Sequence, residues 1–218
     1  ELLETQTAFA NKRAITALNL VFGDVSLAVG DASGQVTTWF PVRNDAGVRV
    51  LTRIHDLSQH TGSVQALSPS PHDKSVISFS GDGFIIDHMT SERFLVGLGE
   101  NDNLKTYTMT TRGDAVIGLS EDGRLISWKL DIPHPEISLG TLFGKVWYEG
   151  YDEPTYAWQS SAATDDYEPK LSLTPLIFGT LKGTFYAMLF AVPLAIFGAI
   201  YTSQFARPRL RELIKPAV

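Results

Sequence analysis

Residues 75–83 read SVISFSGDG, an apolar run closed by a tight Asp-Gly turn, and the same pattern stands at 25–34, VSLAVGDASG, and at 115–123, AVIGLSEDG. Aligned on Gly34, Gly83 and Gly123, the three runs are 49 and then 40 residues apart. The alignment extends on both sides. Nineteen residues before each glycine stand Ile15, Val64 and Leu104; sixteen before, Leu18, Leu67 and Tyr107; seven before, Leu27, Val76 and Val116. Two residues after come Val36, Ile85 and Leu125, and five after come Trp39, His88 and Trp128. Each unit therefore reads as an apolar strand, a polar turn, a second strand, a tight turn through glycine, and a third strand ending on an aromatic or histidine. Alternation in VTTWF (36–40) and LISWK (125–129) fits half-buried strands, and Asp82-Gly83 and Asp122-Gly123 are hairpin dipeptides. A period near 40 residues with several short strands per unit is the signature of propeller blades.

At these residues the chain resembles WD40-like propellers. His60, heading HTGSVQAL, stands where that family often carries Gly-His; Asp82 and Asp122 hold the turn aspartate, and Trp39 and Trp128 the blade-ending tryptophan. Two positions depart from the pattern, with Ser33 in place of the first aspartate and His88 in place of the second tryptophan. The fold class expected is mainly β: a partial β-propeller of about three blades over residues 1–136, followed by an elbow and one transmembrane α-helix. Trp39 and Trp128 are expected to be buried between neighbouring blades. Three blades do not close a ring, and an open ring exposes unpaired strand edges, so further blades are expected upstream.

The repeat stops at Ile132-Pro133-His134-Pro135. Residues 137–170 are expected to form a juxtamembrane collar: a last strand from Ser138 to Trp147, then an irregular aromatic stretch. Trp147, Tyr148, Tyr151, Tyr156 and Trp158 suit the headgroup level of a bilayer, and equally suit a covered loop of the propeller. Asp165, Asp166, Tyr167 and Glu168 read as a solvated acidic loop.

Residues 183–203, GTFYAMLFAVPLAIFGAIYTS, contain no charge. As a helix their length is about 31 Å, matching a hydrocarbon core of ~30 Å. Pro193 in the middle is tolerated in a spanning helix better than in a soluble one. Thr174 and Pro175 read as an N-cap and first helical residue, and a straight helix from there to Ser203 is longer than a bilayer needs, so an elbow is expected near Gly179 or Gly183. Tyr186 and Tyr201 flank the span as interface anchors, and Arg207, Arg209, Arg211 and Lys215 follow it. With the acidic stretch before the span, the positive-inside rule places the C-terminal end in the cytoplasm and the preceding residues outside. Gly183, Ala187, Ala191, Ala195, Ala199 and Ser203 recur every four residues, a ridge of small side chains that lets a second helix approach closely.

Charge is split to match. Residues 1–170 hold 13 Lys/Arg and 23 Asp/Glu, net −10, and 171–218 hold 5 and 1, net +4. An acidic soluble part has no basic face for nucleic acid. Cysteine is absent, so neither a disulfide framework nor a thiolate metal site is present. The chain opens ELLETQTAFA, without an initiator Met or an export signal, and is expected to be a piece of a longer polypeptide.

From about residue 145 a second resemblance appears. The run YEGYDEPTYAWQSSAATDDYEPKLSLTPLIFGTLKGTFYAMLFAVPLAIFGAIYTSQF, followed by RPRLRELIKPAV, is similar to the permease subunit of bacterial phosphate ABC transporters of the PstC type. In the larger members of that family an extracytoplasmic domain is inserted after the first span, and a PLIFGTL-type segment opens the transport bundle. The resemblance implies an inner-membrane channel subunit for inorganic phosphate, with residues before the span periplasmic. It also implies three partners: a second permease subunit, a cytoplasmic ATPase subunit and a periplasmic phosphate-binding protein. No residue is matched to phosphate itself.

Catalytic motifs fail. The nearest approach to a P-loop, Gly99 to Thr106, has Leu104 where the second glycine belongs. His55, His60, His72, His88 and His134 are scattered over loops and blade ends, and Ser120 in GLSED is a turn residue. The chain is expected to be neither an enzyme nor a holder of cofactors or metals. Phosphate transport is the function expected, and the alternative is a membrane-tethered propeller acting as a protein-binding scaffold.

Overall fold

The computed structural model describes residues 5–9, 13–99, 102–164 and 166–205. The chain divides into two compact units at the step from Leu173 to Thr174.

The first unit is built on the repeat. Strands β1 (Ile15–Leu20), β2 (Leu27–Asp31), β3 (Val36–Arg43) and β4 (Arg49–Asp56) pair in order as one antiparallel sheet, blade 1. Strands β5 (Ala66–Pro69), β6 (Ser75–Ser80), β7 (Gly83–His88) and β8 (Arg93–Leu98) do the same as blade 2. Blade 3 has three strands, β9 (Leu104–Met109), β10 (Ala115–Ser120) and β11 (Leu125–Lys129). The two outer strands β4 and β8 were not legible in the repeat. They are partly exposed along most of their length, so RVLTRIHD and RFLVGL lack the clean apolar alternation that marks a half-buried strand.

Gly34, Gly83 and Gly123 each stand at the turn into the third strand with φ of 87°, 108° and 85°, a region glycine enters without steric penalty. The turns differ in length, and this corrects one alignment. Leu27 pairs with Trp39 and Val116 with Trp128, but Val76 pairs with Asp87. The turn of blade 2 is one residue shorter, so Asp87, not His88, is the counterpart of the two tryptophans. A one-residue slip in a strand exchanges its faces, and His88 accordingly points to the other side of the blade.

Two apolar layers separate the three blades. Ala17, Ala28 and Val36 of blade 1 pack with Val64, Leu67 and Val76 of the next unit. Ile77, Phe79, Phe84 and Ile86 of blade 2 pack with Val116, and with Leu104, Tyr107 and Trp128 beside it. Trp128 lies edge-on to Phe84, at 5.3 Å between centroids, so it does sit between blades, although it stays partly exposed. Trp39 is buried, but against Phe9 and Val29 on the far side of blade 1 and not against a neighbouring blade.

The segment after the repeat, up to Leu173, falls within the first unit. Where a strand was expected from Ser138 to Trp147, a short helix forms instead, α1 (Leu139–Phe143). The cause is local: Ser138 accepts from the Thr141 N–H and the Thr141 hydroxyl accepts from the Ser138 N–H, a reciprocal capping box. Two short strands, β12 (Trp158–Gln159) and β13 (Lys170–Leu171), pair antiparallel.

The second unit contains α2 (Thr174–Gln204), a helix of 31 residues with no buried residue. It begins at Thr174, one residue before the Pro175 expected as its first, and Pro193 lies inside it. The expected elbow is not there: Gly179 and Gly183 lie within the continuous helix. A helical glycine costs only about 1 kcal/mol, whereas a break in apolar sequence exposes backbone groups that nothing apolar can satisfy. At ~1.5 Å per residue the helix is about 46 Å long, more than a hydrocarbon core requires.

Candidate functional site

The residues singled out in the repeat form hydrogen-bond networks at the blade turns. In blade 2, His60 Nδ1 lies 2.8 Å from an Asp82 carboxylate oxygen and its Nε2 lies 2.9 Å from Ser78 Oγ. The other Asp82 oxygen accepts from the Thr61 N–H at 2.8 Å and hydroxyl at 2.7 Å. Burial pushes Asp82 up, but the hydrogen bonds from Thr61 and His60 outweigh it and bring its pKa down to about 2. The connectivity is that of a Ser-His-Asp triad. Its chemistry is blocked, because Ser78 and His60 are 1% and 3% exposed, so no substrate reaches the hydroxyl. The network instead ties the β6–β7 hairpin to the linker that precedes β5.

Blade 1 solves the same problem with a different residue. Asp31, two positions before the Ser33 that replaces the expected aspartate, is buried. It accepts from the Ser33 N–H and hydroxyl and from the Gln35 N–H, and pairs with Arg13 at 3.1 Å. Burial raises its pKa, and these donors together lower it below the ordinary value. Asp122 in blade 3 faces solvent and pairs only locally, with Arg124 at 2.6 Å. Asp87, at the position of the blade-ending tryptophan, is buried and accepts from Ser58 Oγ at 2.6 Å. Burial pushes its carboxyl up against those bonds. His88, on the opposite face, is pushed down to about 4 by burial, so it is neutral at pH 7.

The segment from 144 to 173 is clamped onto the blades through two carboxylates, Glu149 and Glu168, of which Glu168 was expected in a solvated loop. Glu149 pairs with the buried Lys74 at 2.6 Å and accepts from Ser26 Oγ at 2.5 Å, and Lys74 also donates to the Phe22 carbonyl at 2.6 Å. Glu168 is 5% exposed, not solvated; it accepts from the Thr90 hydroxyl and from the Glu149 N–H at 2.9 Å. Its burial pushes its carboxyl above the ordinary value. Tyr148 is buried with them, which places that ring in a covered loop; Tyr151, Tyr156 and Trp158 stay exposed. Asp165 lies outside the described residues. No sequence signal marked Lys74, Glu149 and Glu168 as a cluster, since they are brought together from separate parts of the chain.

Beside this clamp is a cavity of about 290 Å³ lined by His55, Glu92, Ser138, Lys145 and Trp147 among others. Its polar groups already have partners: His55 Nδ1 is 3.0 Å from Glu92 and Nε2 is 3.2 Å from the Trp147 carbonyl oxygen. Among the described residues there is no group of three or more His, Cys, Asp and Glu able to hold a metal ion.

On α2 the small residues Gly183, Ala187, Ala191, Ala195 and Ala199 are all exposed, as are Tyr186 and Tyr201. The helix is long and apolar enough to cross a membrane. Thr180 and Thr202 satisfy their hydroxyls on the carbonyls of Leu176 and Gly198, four residues back, at 2.8 and 2.7 Å. Arg207, Arg209, Arg211 and Lys215 lie outside the described residues.

No protein-family model matches the chain, and no curated protein matches it. Among solved structures, the chain is similar to the computationally designed Ika4 protein, with 17% identity, 78% of this chain and 85% of that chain covered, and a TM-score of 0.42. It is similar to the designed Ika8 protein at 23% identity, covering 53% of this chain and 33% of that one, with a TM-score of 0.41. It is similar also to the WD40 domain of Toxoplasma gondii coronin at 17% identity, covering 53% and 30%, with a TM-score of 0.45. The chain thus spans about a third of the length of the latter two. Its own sheets and their order make the first unit a partial β-propeller of WD40-like blades, followed by one apolar helix.

Proposed function

We propose that this chain is part of the membrane permease subunit of an ABC-type inorganic phosphate importer, with the propeller blades on the periplasmic side of a bacterial inner membrane and α2 the first span of the transport bundle. The partners in this reading are a second permease subunit, a cytoplasmic ATPase and a periplasmic phosphate-binding protein. The resemblance of residues 145–218 to that family supports it. The observation that carries it furthest is the small-residue ridge on a helix with no buried residue, because close approach to another helix is what such a ridge allows and a solitary tether does not need it. The role of this chain is passage and assembly, not catalysis.

The second reading is a protein-binding scaffold that α2 merely tethers, and the exposed apolar faces at both ends of the blade stack favour it. The two readings separate on Ala191→Leu and Ala195→Leu, measured by radiolabelled phosphate uptake in cells lacking other phosphate importers, at matched membrane levels. Transport through a packed bundle predicts reduced uptake with the blades still folded and exported. Full uptake by both variants removes the packed helix from the mechanism, and no uptake by the wild type under phosphate starvation overturns the transport assignment.

A further inference from the structure

Glu168 is buried, yet among the described residues no ion pair holds its carboxylate. One of its oxygens takes the Thr90 hydroxyl, from the turn between β7 and β8, and the other takes the Glu149 N–H. The charged and titratable groups described around it come from three stretches. Lys74, in the turn between β5 and β6, has a side chain only 2% exposed, and its Nζ is engaged by Glu149 and by the Phe22 carbonyl, each at 2.6 Å. Glu149, its side chain 11% exposed, and the buried Tyr148 come from the stretch after α1. On the stretch of Glu168 itself Asp166 is exposed, and Tyr167 donates to the Ser160 carbonyl. Lys170 places its Nζ on Gln159 and the Glu168 backbone carbonyl, over the rings of Tyr148 and Tyr151, and not on the carboxylate.

Two carboxylates therefore share one ammonium away from water. Lys74 is taken by Glu149, so the cluster keeps an unmatched negative charge unless Glu168 holds a proton, and a buried unmatched charge is costly. The hydrogen bonds suit the acid form. With its proton on the oxygen beside Thr90, Glu168 donates to the Thr90 hydroxyl oxygen, and its other oxygen still accepts from the Glu149 N–H. Burial, with the Glu149 charge behind it, pushes the carboxyl up against the two hydrogen bonds and Lys74. Glu168 also stands near the end of the blade unit. Ser172 N–H donates to the Ala157 carbonyl at 3.0 Å and Leu173 N–H to the Leu142 carbonyl at 2.8 Å, and α2 begins at the next residue.

We propose that Glu168 is a pH-sensitive latch: protonated, it holds residues 168–173, the stretch leading into α2, against Thr90 and Glu149, and ionised it releases them. The sign follows from linkage. The closed latch is favoured in full below the ordinary carboxyl value of 4.5 and loses that advantage as pH rises through the raised one. This is the reverse of Asp82, whose contribution is lost as pH falls. The inference is independent of the transport reading.

The test is amide hydrogen exchange of the natural full-length protein in detergent, between about pH 5 and pH 8, with each rate divided by that of the unfolded peptide at the same pH. In the wild type, protection at Ser172 and Leu173 should fall about tenfold or more across that range, while residues 76–80 of β6 keep theirs. Glu168→Gln keeps a donor toward Thr90 and an acceptor toward the Glu149 N–H, so it should hold the low-pH protection throughout. Glu149→Gln removes the facing charge and should shrink the fall to about threefold or less. A wild-type profile that is flat at Ser172 and Leu173 overturns the proposal, whether or not either variant folds. So does a Glu168→Gln profile that falls in parallel with the wild type, which would leave Glu168 a structural contact with the titrating group elsewhere.

Discussion

Blades 2 and 3 come from the same repeat and have different fates. Every residue of β6 is buried, while only every second residue of its counterpart β10 is. AVIGLS is no less apolar than SVISFS, so composition does not explain it. Blade 2 has blade 1 on one side and blade 3 on the other, and both of its faces lie in apolar layers. Blade 3 has a neighbour on one face only, and Leu125 on the other is 77% exposed. Burial in a repeat stack is thus supplied by neighbours more than by the blade itself, as in solenoid proteins whose stability is a sum of unit and interface terms.

The largest expected effect is at the layer between blades 2 and 3. Phe84 is fully buried there and touches Tyr107 and Trp128, so Phe84→Ala should cost about 3–5 kcal/mol, as large core truncations do. Leu125→Ala, on the open face of blade 3, should cost less than about 0.5 kcal/mol. Urea midpoints of the detergent-solubilised protein measure both, and equal shifts would erase the distinction between the blades. A smaller effect tests the first layer. A Cβ at Gly30 would lie 2.6 Å from Val64 Cγ1, so Gly30→Ala forces blades 1 and 2 apart and should cost about 1–3 kcal/mol. An unshifted midpoint would mean that this layer is looser than its geometry.

The smallest effect depends on pH. Asp82 has a folded pKa of about 2, below its ordinary value near 3.8. A carboxylate held down in the folded state adds stability above its unfolded pKa and loses it as pH falls through the folded one. Stability should therefore fall between about pH 4 and pH 2, and Asp82→Asn should flatten that part of the profile while lowering the neutral-pH value. A parallel profile in the variant would show that the titration of Asp82 does not carry this loss of stability.

Much of this was legible locally. The period through Gly34, Gly83 and Gly123 placed the three inner strands of each blade, because a strand with one apolar face and a turn that needs glycine both leave marks in adjacent residues. His60 and Asp82 were each marked by the resemblance to WD40-like blades, but the hydrogen bond between them was not. The outer strands β4 and β8 were missed because edge strands carry no strict alternation. The tryptophan counterpart was misassigned because Gly83 itself begins β7, shortening the turn by one residue, and a sequence alignment anchored on that glycine cannot see the pairing.

The sequence by itself determined the elements whose cause is local: the alternating strands, the glycine turns, and a helix long and apolar enough to cross a membrane. Only the tertiary structure decided which carboxylates are buried and which faces are covered. Glu168 and Asp166 look alike in DDYE, yet Asp166 is exposed and Glu168 is drawn onto Thr90 and beside the Lys74–Glu149 pair. Ile15 and Val64 occupy the same repeat position, yet one is exposed and the other buried. Burial is a property of what lies across the gap, and that partner is set by long-range packing that no single stretch of residues encodes.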